Sequence, residues 1–306
     1  MSPLLFNDDD VRARLDAGTA VQAVRTAILA RYEGTVQAPP RVRADLGDGH
    51  LVFTAGRLRE QELFGFRMYD TLVGAEQLVA VWNARDGQLL TLVHGAELGA
   101  RRTGAIGAVA IDAAARPGRA RVGIVGAGTQ AWTQLWAMRA VREVEEVVVA
   151  ARRPERADAF ARKAADELGV RTRATGMVKD AVRDRDVVIV ATNSAVPVLE
   201  ADWIAPGTHV NTLGPKTVSR HEVPAALAHR ASVVLTDSRT QAASYPEPHI
   251  FAIDPMVDLG AVLAGAVPAR TDPDQITVFC SVGLAGTEVA LAAVLGRQPT
   301  DHPSHN

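Results

Sequence analysis

Two glycines and two arginines carry the first chemical signal in this chain. The segment "RVGIVGAGTQA", Arg121 to Ala131, is a strand-like apolar run that meets Gly126-Ala127-Gly128, and "AWTQLWAMRAV" after it has helical character. In a strand-turn-helix unit Gly126 makes the tight turn. Gly128 lets the backbone approach a diphosphate at the helix N-terminus, beside Thr129 and Gln130, and Ala131 keeps the helix close to the sheet. The next apolar run, "VVVAA", ends in Ala150, Ala151, Arg152, Arg153. No carboxylate stands there to accept from a ribose 2′-hydroxyl. Two guanidiniums stand there instead, suited to grip a 2′-phosphate, so NADPH is the expected cofactor rather than NADH. Thr192, Asn193 and Ser194, closing "VIVATNS", are expected to line the crevice at the carboxyl edge of the same sheet, beside the ribose or nicotinamide. A glycine turn also fits a plain strand-to-helix connection, and "RRPERA" also fits a solvated helix start. The surroundings have to decide.

Those surroundings are a run of alternating elements. After Pro117-Gly118 the chain reads strand, helix, strand, helix through "RVGIVGAG", a helix to about Val141, "EEVVVAARR", "PERADAFARKAADELG", "DVVIVATNS", "THVNTLG" and "ASVVLTD". Near-continuous Val/Ile runs between amphipathic helices indicate a doubly wound parallel sheet covered on both faces. Before Pro117 the pattern differs. "NDDDVRARLDAGTAVQAVRTAILARYEG" carries Val11, Leu15, Val21, Val24 and Ile28 at helical spacing, which reads as one or two amphipathic helices. From "RVRADLG" to "LLTLVHG" the alternation is that of an antiparallel sheet, with a hairpin at the Asp-Gly of "ARDGQ". "AELGARRTGAIGAVAIDAAARPG" reads as a buried alanine-rich helix stopped at the Pro-Gly. The fold class is therefore α/β: a Rossmann doubly wound domain over 118–282 and an α+β domain over 1–117. "QPTDHPSHN" at the end reads as a frayed tail.

Composition narrows the function classes. With 306 residues, 47% hydrophobic and 22% charged, the chain is that of an ordinary globular protein. A formal charge of −2 argues against a nucleic acid or an anionic membrane as the main partner. The single cysteine, Cys280, permits neither an internal disulfide nor a cysteine-based zinc site, and no metal is expected. The N-terminus has acids where a signal peptide would carry basic residues, and no stretch reaches a membrane span of roughly 18 apolar residues, so a cytoplasmic protein is expected. Of 33 basic side chains only Lys163, Lys179 and Lys216 are lysines, so one arginine is weak evidence and a loop lysine is a stronger signal.

The chain resembles the ornithine cyclodeaminase and mu-crystallin family. The likeness runs through "VRARLDAGTAVQAV", "PPR", "GFRMYDT", "ELGARRTGA", "GIVGAGTQA", "DVVIVATNSAVPVLEADWIAPGTHVNTLG" and "FCSVGLAGTEVALAA", in that order. It implies a homodimer in which a C-terminal helix over 283–306 returns to the N-terminal domain, which binds substrate and dimerises. It also implies NAD(P)-dependent chemistry on α-amino or α-imino acids, the substrate carboxylate being clamped by basic residues. The matching positions are Arg41 in "PPRV", Arg67 in "GFRM" and Arg102, with Thr103 after it, in "ARRTG". Arg67 stands where the family usually has lysine, and a guanidinium cannot give up its proton at working pH. The loop "GPKTVSRHEVP" lacks the aspartate that cyclodeaminases carry, and its nearest carboxylate is Glu222.

The missing aspartate weighs against multistep cyclodeamination. Single hydride delivery to a preformed C=N bond asks less, and an NADPH-dependent ketimine or imino-acid reductase is the reading that follows. Alternatives are an alanine-type dehydrogenase or cyclodeaminase, and a non-catalytic NADPH-dependent binder of a small ligand. Lys216 sits where the resemblance places the family's acid. Desolvated beside the three arginines it would be able to donate a proton to an imine nitrogen near neutrality; an exposed loop lysine is the plainer alternative.

Overall fold

The computed structural model describes residues 2–297; the C-terminal "QPTDHPSHN" lies outside the described residues. The N-terminal part comprises β1 (Leu4–Phe6), α1 (Asp8–Arg14), α2 (Ala17–Tyr32), β2 (Val36–Gln37), β3 (Val42–Asp45), β4 (His50–Leu58), β5 (Leu63–Asp70), β6 (Leu78–Asn83), β7 (Leu89–His94) and α3 (Glu97–Ala114). The helical spacing at the start resolves into two helices. Asn7 and Asp10 close a capping box on α1, and Asp16 caps α2, stopping one helix and starting the next within three residues. Val11, Leu15, Val21, Val24 and Ile28 are all buried.

The strands form one sheet in the order β1-β7-β6-β5-β4-β2, with β3 also on β4; β1 joins β7 in parallel and every other pairing is antiparallel. The hairpin from β6 to β7 turns at Asp86-Gly87, where Gly87 has φ +73°. Period-two alternation gives this sheet two apolar faces. Val52, Leu58, Val79, Val81 and Val93 point into the core. The opposite face carries an aromatic ladder, with ring centroids 5.9 Å apart for Phe53–Phe66, 5.7 Å for Phe66–Trp82 and 5.6 Å for Phe64–Trp82. Leu5, Val42 and Phe64 on that face are exposed.

The second part comprises β8 (Ala120–Val125), α4 (Thr129–Met138), β9 (Val144–Ala150), α5 (Pro154–Leu168), β10 (Thr172–Thr175), α6 (Val178–Val182), β11 (Val187–Val190), β12 (His209–Thr212), α7 (Ala226–Arg230), β13 (Ala231–Thr236), α8 (Arg239–Ala243), β14 (Val257–Asp258), α9 (Leu259–Leu263), β15 (Ile276–Cys280) and α10 (Thr287–Arg297). Its eight strands are parallel, in the order β10-β9-β8-β11-β12-β15-β13-β14. This is the Rossmann-type doubly wound sheet, with the strand order reversing beside β8. The helix after β8 ends at Met138, short of Val141.

Three features of this topology position a site. The last strand, β15, inserts beside β12, so the loop after it emerges next to the end of β12. Helix α10 then packs against α2, α3 and β4 to β7 of the first sheet. Between the sheets α3 lies against α4, and two glycines set that distance. A Cβ on Gly104 would meet the Thr133 carbonyl at 2.2 Å, and one on Gly107 would meet Oε1 of Gln134 at 2.0 Å. No helix among the described residues is long and apolar enough to cross a membrane.

Candidate active site

The crevice at the carboxyl edge of the parallel sheet is built from glycine. Gly126, at φ +109°, crosses so close to β11 that a Cβ would lie 2.2 Å from the Ala191 carbonyl. Any side chain there would push the two strands apart. Around Gly128 nothing lies within 4 Å of an added Cβ, and Gly128 starts α4 with no side-chain cap and no acid in the first turn. Gly128, Thr129 and Gln130 are exposed while Ala131 is fully buried against the sheet. A diphosphate fits this arrangement, because the first N–H groups of α4 lack an internal partner and face open space. Arg152 and Arg153 are exposed at the start of α5, with Arg153 at the N-cap and Pro154 beginning the helix.

At the end of β11, Thr192 is pinned. Its N–H and hydroxyl donate to one oxygen of Glu222 at 2.8 and 2.9 Å, while the other oxygen accepts from the Thr212 hydroxyl at 2.7 Å and from the N–H groups of Leu213 and Gly214 at 2.9 and 2.6 Å. Glu222 is fully buried. Five donors on one carboxylate leave it no free lone pair for proton transfer; it welds the ends of β11 and β12 together. Asn193 is exposed, and Ser194 donates its hydroxyl to Val196 O at 2.6 Å.

The three arginines come from β5, α3 and the segment before β3, and they share neighbours. Arg102, buried at 2% exposure, forms an ion pair with Glu288 at the start of α10, itself 1% exposed. Arg67 reaches the same Glu288 oxygen at 3.3 Å and donates from Nε to Gln77 at 2.8 Å. Arg41 donates to the carbonyls of Val282 and Gly283, in the loop after β15. Gly283 has φ +77°, and a Cβ there would lie 2.6 Å from Arg41 and 2.7 Å from Arg102. Asp237 fixes this loop by accepting from the N–H groups of Val282 at 2.7 Å and Leu284 at 2.6 Å. The Arg41 backbone is held by Gln241 at 2.8 Å. Thr103 donates its hydroxyl to Gly99 O at 3.0 Å, within its own helix.

Charge and burial compete here. Burial opposes ionisation of Glu288, but Arg102 and then Arg67 outweigh it and hold the carboxyl below its usual range. For Arg67, burial first and the charge of Arg102 second push the guanidinium below its ordinary value. Glu288 answers only part of this charge. The Nε atoms of Arg41 and Arg102 are buried without a partner. Buried unpaired donors on cations are costly, and an anion bound between these guanidiniums would satisfy them.

Lys216 is buried, at 4% exposure, and donates from Nζ to the Gly214 carbonyl at 2.6 Å. Among the described residues no carboxylate forms an ion pair with it. His249 and Cys280 feel its charge. Burial first, and Lys216 second, push His249 down to about 4, and burial pushes the Cys280 thiol up to about 12. His249 lies across from Thr217 in an isolated antiparallel bridge, and its Nε2 is buried without a partner. The lysine is thus buried and not an exposed loop residue.

Sequence reasoning left out Glu288, Asp237 and Gln77. The signal for Glu288 was available: "TEVALAAVL" is apolar but for one carboxylate, and a charged residue inside an apolar helix calls for a buried partner. Asp237 and Gln77 stand in ordinary polar segments and gave none.

Comparison with known proteins agrees with this architecture. Residues 2–298 match the ornithine cyclodeaminase/mu-crystallin family. An alanine dehydrogenase from Archaeoglobus fulgidus is 28% identical over 96% of this chain and 94% of its own length. A Delta(1)-pyrroline-2-carboxylate reductase from Bacillus cereus is 30% identical, covering 71% of this chain and 69% of its own. The structure of Thermococcus litoralis Delta(1)-pyrroline-2-carboxylate reductase in complex with NADH and L-proline superposes with a TM-score of 0.86 at 26% identity, covering 96% of both chains. These relatives are oxidoreductases of amino or imino acids. The chain belongs to the ornithine cyclodeaminase/mu-crystallin family.

Proposed function

We propose that this protein is an NADPH-dependent oxidoreductase that reduces a C=N bond next to a carboxylate, in a ketimine or a cyclic imino acid of the pyrroline- or piperideine-2-carboxylate type. The observation that carries the reading is the pairing of Arg67 and Arg102 with the single carboxylate of Glu288, with Arg41 beside Arg102 at Gly283 and two buried Nε donors still unpartnered. A carboxylate substrate supplies what those donors lack. When bound, the dinucleotide supplies a hydride for the imine carbon.

The chain's own residues do the rest. Gly126, Gly128, Thr129 and Gln130 receive the diphosphate at the start of α4, and Thr192, Asn193 and Ser194 border the crevice at the end of β11. Arg152 and Arg153 take the 2′-phosphate; the Thermococcus relative, by contrast, holds NADH, so the preference for NADPH rests on this arginine pair. Lys216 is the proton donor for the imine nitrogen, since Glu222 is saturated and the ammonium has one carbonyl partner. The apolar outer face of the first sheet supports a homodimer, because a partly exposed aromatic ladder, with Phe64, Leu5 and Val42 exposed, is costly to leave in water. The alanine dehydrogenase relative favours one second reading, oxidation of an amino acid with release of ammonia.

The test is NADPH oxidation against a panel of cyclic imino acids, and of 2-oxo acids with and without amines. Turnover of cyclic imino acids without ammonia supports the reductase; turnover only of 2-oxo acids with free ammonia supports the dehydrogenase. Arg102→Ala should then lower kcat/KM by at least about tenfold, and unchanged kcat/KM would remove the clamp.

A further inference from the structure

A buried chain of polar side chains runs between the two halves of the crevice and belongs to neither the clamp nor the glycine turn. Gln134 on α4, Asn211 and His209 on β12, and Thr277 on β15 are all fully buried. Gln134 Nε2 donates to the Thr103 carbonyl at 2.9 Å, and its Oε1 accepts from Asn211 Nδ2 at 3.1 Å. Asn211 Nδ2 also donates to the Gly107 carbonyl at 3.2 Å, and its Oδ1 lies 2.8 Å from His209 Nε2. His209 Nδ1 lies 2.8 Å from the Thr277 hydroxyl, which accepts from Arg270 Nη2 at 3.2 Å. Arg270 Nε donates to the Ala114 carbonyl at 3.1 Å.

Elementary donor and acceptor rules orient every link. Thr103 and Gly107 offer carbonyls, which only accept, so each amide must turn its NH₂ toward α3. That leaves Gln134 Oε1 facing Asn211 and Asn211 Oδ1 facing His209, so His209 must carry its proton on Nε2. Burial pushes His209 down to about 3, so its Nδ1 is a bare acceptor; the single Thr277 hydroxyl proton, which has the Ala114 carbonyl at 3.1 Å as its other acceptor, goes to Nδ1 at 2.8 Å, since Arg270 Nε already donates to Ala114. The resulting line of donation runs one way, from Arg270 through Thr277, His209, Asn211 and Gln134 to Thr103. Three carbonyls of α3, at Thr103, Gly107 and Ala114, are thereby bonded to side chains of the dinucleotide-binding half. Thr103 follows Arg102 directly, and Gln134 lies on the helix that Gly128 begins.

We infer that Gln134 and Asn211 are positioning residues that set the register between the arginine clamp on α3 and the dinucleotide end of α4. The physical reason is the glycine contact between these helices. Gly104 and Gly107 bring α3 and α4 together with no interlocking side chain of their own, and directional bonds to fixed carbonyls set the register along that contact. Hydride transfer tolerates little sliding, since a displacement of about 1 Å can cost roughly a hundredfold in rate. The inference rests on the proposed reductase reading.

The experiment compares wild type with Gln134→Met, which keeps the volume and removes both bonds, and with Thr277→Val and Thr277→Ser at the far end of the chain. NADPH affinity by fluorescence should stay within about twofold of wild type, because the glycine turn is untouched. Amide hydrogen exchange around residues 99–107 of α3 should slow when NADPH binds to wild type and respond far less in Gln134→Met. In turnover, kcat should fall by about tenfold or more with little change in substrate KM, and the primary isotope effect with cofactor deuterated at the transferred position should rise. Thr277→Val should shift the same readings in the same direction, and Thr277→Ser should restore them. A Gln134→Met protein with wild-type exchange coupling, kcat and isotope effect, whatever its Tm, overturns the inference and leaves the reductase reading standing. A wild type that oxidises NADPH with no imine in the panel removes both.

Discussion

Glu288→Gln isolates the charge that holds the clamp together. The substitution keeps shape and removes the negative charge around which Arg102 and Arg67 are arranged. In wild type the side chains of this trio are almost dry, with 3% exposure for Arg102, 12% for Arg67 and 1% for Glu288. Removing one partner from a buried ion pair typically costs about 3–5 kcal/mol, because the remaining charges stay buried without compensation. At roughly 2 °C per kcal/mol for a large chain, Tm should fall by about 6–10 °C. The pH dependence gives a second reading. The folded Glu288 carboxyl titrates below its unfolded value, so its stabilisation is complete above the ordinary glutamate range near 4.3 and is lost as pH falls through the folded value. The gap between wild type and Glu288→Gln should therefore be full at pH 7 and close as the solution is acidified below about pH 4. Differential scanning calorimetry from pH 3.5 to 8 reads both. Added carboxylate ligand should also raise the Tm of Glu288→Gln more than that of wild type, since it replaces a missing charge. A variant within about 2 °C of wild type at pH 7, with no convergence at low pH, would show that Glu288 is not what holds the arginines.

Lys216→Met should abolish most turnover while leaving NADPH affinity unchanged; near-normal turnover would leave solvent, or a substrate that enters as the iminium, as the proton source. Arg152→Ala with Arg153→Ala should weaken NADPH binding by about tenfold and leave NADH binding unaltered, and equal wild-type affinity for the two cofactors would sink that assignment. Phe64→Glu puts a charge on the outer face of the first sheet and should convert a dimer to monomers in analytical ultracentrifugation at micromolar concentration. A wild type that sediments as a monomer would refute the dimer.

What the sequence determined by itself was local in kind. Period-two alternation set the strands of the first sheet, and near-continuous apolar runs set those of the second, whose strands are buried on both faces. The capping side chains of Asn7 and Asp16 start helices through bonds made within three residues, so one or two helices were legible at the N-terminus. Gly126 and Gly128 announced a strand-to-helix turn for the same reason. The arginines were legible as candidates through resemblance, residue by residue, and Lys216 through its scarcity. Tertiary structure alone decided their partners. Arg67 and Glu288 are 221 residues apart and Arg102 and Glu288 are 186 apart, and nothing in the spacing of either segment encodes the other. Glu222 looked like the nearest spare acid, yet the ends of β11 and β12 bring five donors onto it. Gln134 gave no signal in the sequence, and it is fully buried beneath Gly107. Periodicity records which face of an element is hidden, but which buried charge or amide meets which is fixed only when β15 inserts beside β12 and α10 returns to the first sheet.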